Sequence, residues 1–175
     1  SVSDGIATRV DAKTIRVAIH QVVLAAAAED SRPVLTGVNV ELEGTALTLA
    51  AADGFRLAVH KTEVLDPVPE KLSVIVPART LQEVERLIEG DEPIDIVVTP
   101  QKSQVLFRLQ NVEIVSQLIQ GTFPNYSQLV PQEHTTRAIV DLGELQRATR
   151  TASIFAKDGS GIIRIQMAPG ASGAG

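Results

Sequence analysis

Val74-Ile-Val-Pro-Ala-Arg-Thr-Leu-Gln runs a β-branched strand straight into a helix, and two other stretches repeat the step: Arg9-Val-Asp-Ala-Lys-Thr-Ile-Arg and Ala138-Ile-Val-Asp-Leu-Gly-Glu-Leu-Gln. The spacing from Val10 to Val76 to Val140 gives a period of roughly 65 residues, long enough for each copy to be a whole supersecondary module. The third copy starts near Arg137 and runs out at Gly175, so it is expected to be incomplete and the chain to be a piece of something larger.

Outward from these steps, the first copy reads as a strand over 6–10, a helix over 12–28 with Asp11 as its N-cap, and strands over 35–42, 46–52 and 55–64. Arg32-Pro33 ends the helical region, because proline disfavours the helical conformation of the residue before it. Glu43-Gly44 and Asp53-Gly54 mark tight turns, and Asp66-Pro-Val-Pro closes the copy. The second copy keeps the order, with a strand over 72–76, a helix over 78–89 and strands over 94–99, 104–109 and 112–119. The third supplies a strand over 137–141, a helix over 142–156 and a strand over 162–167, then dissolves into Pro169-Gly-Ala-Ser-Gly-Ala-Gly. The class is therefore α+β, built of repeated strand-helix-strands units with helices on one face of antiparallel sheets.

Composition narrows the function. The chain has 175 residues, 44% of them hydrophobic. That fits one domain of about 100–150 residues and a remainder. No run of about 20 apolar residues is present, and no signal peptide is evident in the opening Ser1-Val-Ser-Asp-Gly. Zero cysteines exclude disulfides, thiolate chemistry and thiolate zinc sites, in keeping with a cytoplasmic setting. A net charge of −5 excludes a simple basic nucleic-acid binder, since counterion release needs clustered lysine and arginine. Any role on DNA must come from where the charges sit.

At 100° per residue the three helices superpose. Ile15, Ala18 and Val22 share a face with the equivalents Leu81, Val84, Ile88 and Leu145, Ala148, Ala152. The opposite faces carry Lys13, Arg16 and His20, then Arg79, Gln82 and Arg86, then Gln146 and Arg150. A charged solvent face commonly means only solubility. Three in register within an acidic chain point instead to helices lining a surface that meets polyanion.

Four segments, Arg32-Pro-Val-Leu-Thr-Gly-Val, Ala51-Ala-Asp-Gly-Phe-Arg-Leu-Ala, Val74-Ile-Val-Pro-Ala-Arg-Thr-Leu and Leu118-Ile-Gln-Gly-Thr-Phe-Pro-Asn-Tyr, together resemble the bacterial DNA sliding clamp, the beta subunit of the replicative DNA polymerase III. The resemblance implies the DNA clamp fold, a processivity role in DNA replication without catalysis, and no cofactor or metal. It implies that residues 1–131 are a middle domain of two units, about 6–66 and 71–131, followed by a linker over 132–136 and an incomplete third domain over 137–175. Whole chains of the family close head to tail as homodimeric rings around duplex DNA, and this piece is not expected to form the ring.

The resemblance also implies a shallow apolar groove that receives short peptide motifs from DNA polymerase III subunits, the clamp loader and repair polymerases. Its residues here would be Leu35, Ala52, Gly54, Phe55, Arg56, Leu57, Pro124, Gln128 and Leu129. Burying one partner leucine or phenylalanine there would contribute about 1.5–3 kcal/mol, and two such anchors give micromolar binding at most after ordering costs. Facing double-stranded DNA would be Lys13, Arg16, His20, Arg32, Arg79, Arg86, Arg147 and Arg150, touching phosphates without reading sequence. Glu29 and Asp30 lie beside Arg32, just before it in the chain.

Two other classes compete. A small hydrolytic enzyme would draw on His20, His60 and His134, on Asp53 with Arg56, or on the hydroxyls of 149–153. Yet the histidines lack metal-binding spacing and no glycine-rich phosphate loop is present. A stand-alone β-rich interaction module would need no third helix-bearing copy. A partly built third unit is expected to be poorly ordered or held by another chain, since an apolar strand with an open edge seeks a partner.

Overall fold

The structure is a computed structural model that describes residues 5–29 and 31–168. Two compact units divide after Tyr126, so the first ends earlier than the expected boundary at residue 131.

In the first unit, strand β1 (Ile6–Val10) leads through Asp11 into helix α1 (Ala12–Val23), and a 3-10 turn at Pro33–Thr36 precedes β2 (Gly37–Glu43), β3 (Ala46–Ala52) and β4 (Leu57–Glu63). The second copy follows as β5 (Leu72–Pro77), α2 (Ala78–Leu87), β6 (Ile94–Val98), β7 (Gln104–Arg108) and β8 (Glu113–Gln117). Asp11 does cap α1: its Oδ1 accepts from the Thr14 amide at 2.8 Å and from the Thr14 hydroxyl at 2.9 Å. The helix stops at Val23, short of the expected residue 28. The next amides fold back as single turns, and Ala27 N–H donates to the Leu35 carbonyl at 2.8 Å, tying the helix exit to the 3-10 turn.

The sheets exchange their first strands. One runs β1-β6-β7-β8 and the other β4-β3-β2-β5, so each copy donates its opening strand to the edge of the other copy's sheet. All pairings are antiparallel, with Val10 opposite Ile94 and Val38 opposite Val76. An isolated bridge between Ile75 and Ile119 joins the two sheets at their β5 and β8 ends.

Alternation decides what each sheet buries. Val10, Leu47, Leu49 and Phe107 point to the same core that Ile19 of α1 and Leu81 of α2 enter, so both helices lie on one face. Ile15, Ala18 and Val22, and Leu81, Val84 and Ile88, are all buried as their periodicity requires. The open edge of β1 is strapped by the chain that closes the first copy. Leu65 N–H donates to the Arg9 carbonyl, Thr8 Oγ1 donates to the Asp66 carbonyl, and the Arg9 guanidinium grips Asp66 at 2.7 and 3.1 Å.

The second unit contains helix α3 (Leu142–Ala156), capped by Asp141, whose Oδ1 accepts from the Glu144 amide at 2.8 Å. The strands expected over 137–141 and 162–167 do not form, and among the described residues no neighbouring strand supplies their ladders. Correspondingly, α3 has no buried residue, and Leu145, expected on its core face, is 41% exposed. Residues 169–175 lie outside the described residues.

Candidate partner groove and duplex-facing helices

Two segments of the first unit come up to the 3-10 turn that carries Leu35. The 3-10 turn holds Leu35 at only 4% exposure, although the sequence placed it within a strand. The β3–β4 connection sets Ala52 opposite Leu57 in register, and between them Gly54 adopts φ +95°, a conformation that side-chain-bearing residues rarely take. The segment carrying Pro124 is brought in by Gly121, where a Cβ would lie 2.7 Å from Val34 Cγ1, so only glycine lets it approach the turn. Further along that segment, Phe123 and Tyr126 pack edge to face at 6.3 Å. Burial, with the nearby Glu41 charge, pushes the Tyr126 phenol up.

Asp53 shapes the loop. Its Oδ1 accepts from the Phe55 and Arg56 amides at 2.9 and 3.0 Å, and Arg56 Nε donates to Oδ2 at 2.9 Å. The Phe55 amide first, then those of Arg56 and its guanidinium, hold the Asp53 carboxyl below its ordinary range. The outcome is a loop that presents Phe55 fully to solvent, 100% exposed. Phe55 thus stands in solvent on a hydrogen-bonded loop, Leu57 at the start of β4 is half-buried and Leu35 of the 3-10 turn is buried. Arg32, which the resemblance turns toward duplex DNA, also approaches this loop: a Cβ on Gly54 would lie 3.2 Å from its Nη2. Asp30 lies outside the described residues. Pro124 is exposed in the first unit, whereas Gln128 and Leu129 are exposed residues of the second.

On the helices, α1 and α2 run antiparallel and are laced together by their polar residues. Lys13 Nζ lies 3.3 Å from Asp91 Oδ1, Arg16 Nη2 donates to the Ile88 carbonyl at the end of α2, and His20 Nδ1 lies 2.9 Å from Glu85 Oε1. Arg86 pairs with Glu83 one turn back at 2.6 Å. Arg79 is exposed, with no ion pair among the described residues. The periodicity placed the cations correctly on one helical surface. It passed over Glu83, Glu85 and Asp91, which share it. Arg147 and Arg150 are exposed on α3 in the second unit, Arg147 paired with Glu144.

The groups that an enzyme would need are dispersed. His20 faces Glu85, His60 Nδ1 sits 2.8 Å from Gln21 Oε1, and His134 lies in an exposed stretch. Ser153 Oγ donates to the Arg150 carbonyl. Among the described residues no group of three or more acidic or histidine side chains could hold a metal ion.

Residues 9–125 match the model of the DNA polymerase III beta subunit, central domain. The chain belongs to the beta sliding clamp family. It is 34% identical over 156 residues to the beta sliding clamp of Bacillus subtilis (strain 168), covering 88% of this chain and 41% of that protein. The beta sliding clamp of Staphylococcus aureus is 34% identical over 154 residues, 87% of this chain and 40% of its own. Among solved structures, the sliding clamp from Bacillus subtilis superposes with a TM-score of 0.84 at 32% identity over 91% of this chain and 42% of its own. The beta chain from Streptococcus pneumoniae gives 0.83 at 25% identity over 92% of this chain and 43% of its own. The chain thus spans about two-fifths of the length of the curated clamps it matches. No helix among its described residues is long and apolar enough to cross a membrane.

Proposed function

We propose that this chain works as part of a DNA replication processivity factor, a ring-forming sliding clamp that keeps partner enzymes on duplex DNA and catalyses nothing itself. Its first unit offers two surfaces. The surface around Leu35, Ala52, Gly54, Phe55, Arg56, Leu57 and Pro124 receives a short partner peptide through apolar anchors. The solvent face of α1 and α2, with Lys13, Arg16, His20, Arg79 and Arg86, turns toward the phosphate backbone.

The observation that carries the proposal is the approach of the Asp53 loop to Arg32 and of the Gly121 segment to Val34, on either side of the 3-10 turn that carries Leu35, with Phe55 held fully in solvent. Polymerase III subunits, the clamp loader and repair polymerases are the partners that family membership favours, and a head-to-tail homodimeric ring is the assembly.

Fluorescence polarisation with a labelled peptide carrying two apolar anchors tests the groove. Binding in the micromolar range or weaker is expected, with loss of about tenfold or more for Leu57→Asp, since each apolar anchor is worth about 1.5–3 kcal/mol. Equal binding by both proteins would remove the groove assignment.

A further inference from the structure

Resting on the duplex-facing role proposed for α1 and α2, we infer that Glu83, Glu85 and Asp91 are built-in competitors for phosphate, which hold this helical surface at weak affinity for duplex backbone. Four fixed cations, Lys13, Arg16, Arg79 and Arg86, share the surface with these three carboxylates. Lys13 and Arg86 each already touch one of them, at 3.3 and 2.6 Å, and His20 touches the third at 2.9 Å. Arg16 is turned onto the Ile88 carbonyl.

A phosphate arriving at Lys13 or Arg86 therefore exchanges one anion for another instead of meeting a free cation. Exposed pairs of this kind couple weakly, so the exchange is permitted, but it yields little. The displaced carboxylate stays nearby and repels the incoming backbone. Arg79 is the cation that phosphate meets without a rival. Because every contact is to backbone, the hold carries no sequence preference. A surface that engages phosphate only by exchange lets go as readily as it takes hold, as movement along a duplex requires.

The test is duplex binding by the full 175-residue chain at about 50 mM salt, followed by a salt titration. Glu83→Gln, Glu85→Gln and Asp91→Asn together are expected to tighten binding about tenfold and to steepen the salt dependence, as freed cations release more counterions. Adding Arg79→Glu should remove most of that gain. A charge-matched control, Glu43→Gln with Glu63→Gln and Glu70→Gln at exposed strand and loop positions outside the two helices, should tighten it much less. If the control tightens binding equally, or the helix carboxylates change nothing, the inference is overturned, and the duplex-facing role stands provided Arg79→Glu still weakens the parent chain. If neither the carboxylates nor Arg79 matter, the duplex-facing role itself fails. Circular dichroism melting of each variant checks that the fold is intact.

Discussion

Asp53 shows how much one carboxylate organises. Its bonds to the Phe55 and Arg56 amides exist in the folded loop only, and they depress its pKa. A group whose folded pKa is lowered contributes order that is fully present above its unfolded value, about 3.9, and is lost as pH falls through the folded value. The amide resonances of Phe55 and Arg56 are thus expected to stay constant from neutral pH down to about 5 and to move only in stronger acid. Asp53→Ala should disorder the loop at every pH, and resonances unchanged by that variant would contradict the role. Gly54→Ala forces a Cβ onto φ +95° and should cost about 1–3 kcal/mol in a denaturant melt. The Asp-Gly pair was readable as a turn. That its carboxylate would fix Phe55 in solvent was not read, although an aspartate that accepts from the amides two and three residues on is a local motif the residue types allow. The approach of Arg32 to the loop at Gly54 was not legible, because it joins segments distant in sequence.

At the level of the element, helices were the most legible part, because their caps and apolar spacing are local. Asp11 and Asp141 both cap as the sequence reading or its repeat requires, and α2 buries the residues its period selects. The end of α1 was not legible, since the alanine run after Val23 has no local reason to stop and the Leu35 carbonyl decides it. Helix α3 carries the same lettering with no burial, which separates pattern from packing. Leu81→Ala, in a side chain 1% exposed, should destabilise the first unit by about 2–5 kcal/mol. Leu145→Ala at the equivalent position should cost well under 1 kcal/mol, as surface substitutions do. Equal costs would mean that the α3 face is packed after all.

Across the whole molecule, the exchange of β1 and β5 binds the two copies of the first unit into one core. Strand pairing of this kind was hidden from the sequence. Alternation says which residues face the core, whereas the neighbour of a strand is set by contacts many residues away. The first unit should accordingly unfold in a single transition, with the amides of β2 and β6 protected to the same degree, while α3 exchanges far faster because it buries nothing. Separate transitions for the two sheets would contradict the interlock. The central claim is that the first unit carries a peptide groove on one surface and a duplex-facing helical pair on another. Methyl-labelled NMR tests it most directly, by titrating the chain with the two-anchor peptide and following every leucine, valine and isoleucine at once. The account predicts that Leu35 and Leu57 shift in a saturable, peptide-dependent manner while Val17 on α1 and Leu24 at its C-cap stay still. Shifts centred on α1, or none at Leu35 and Leu57 while the peptide binds, would contradict it.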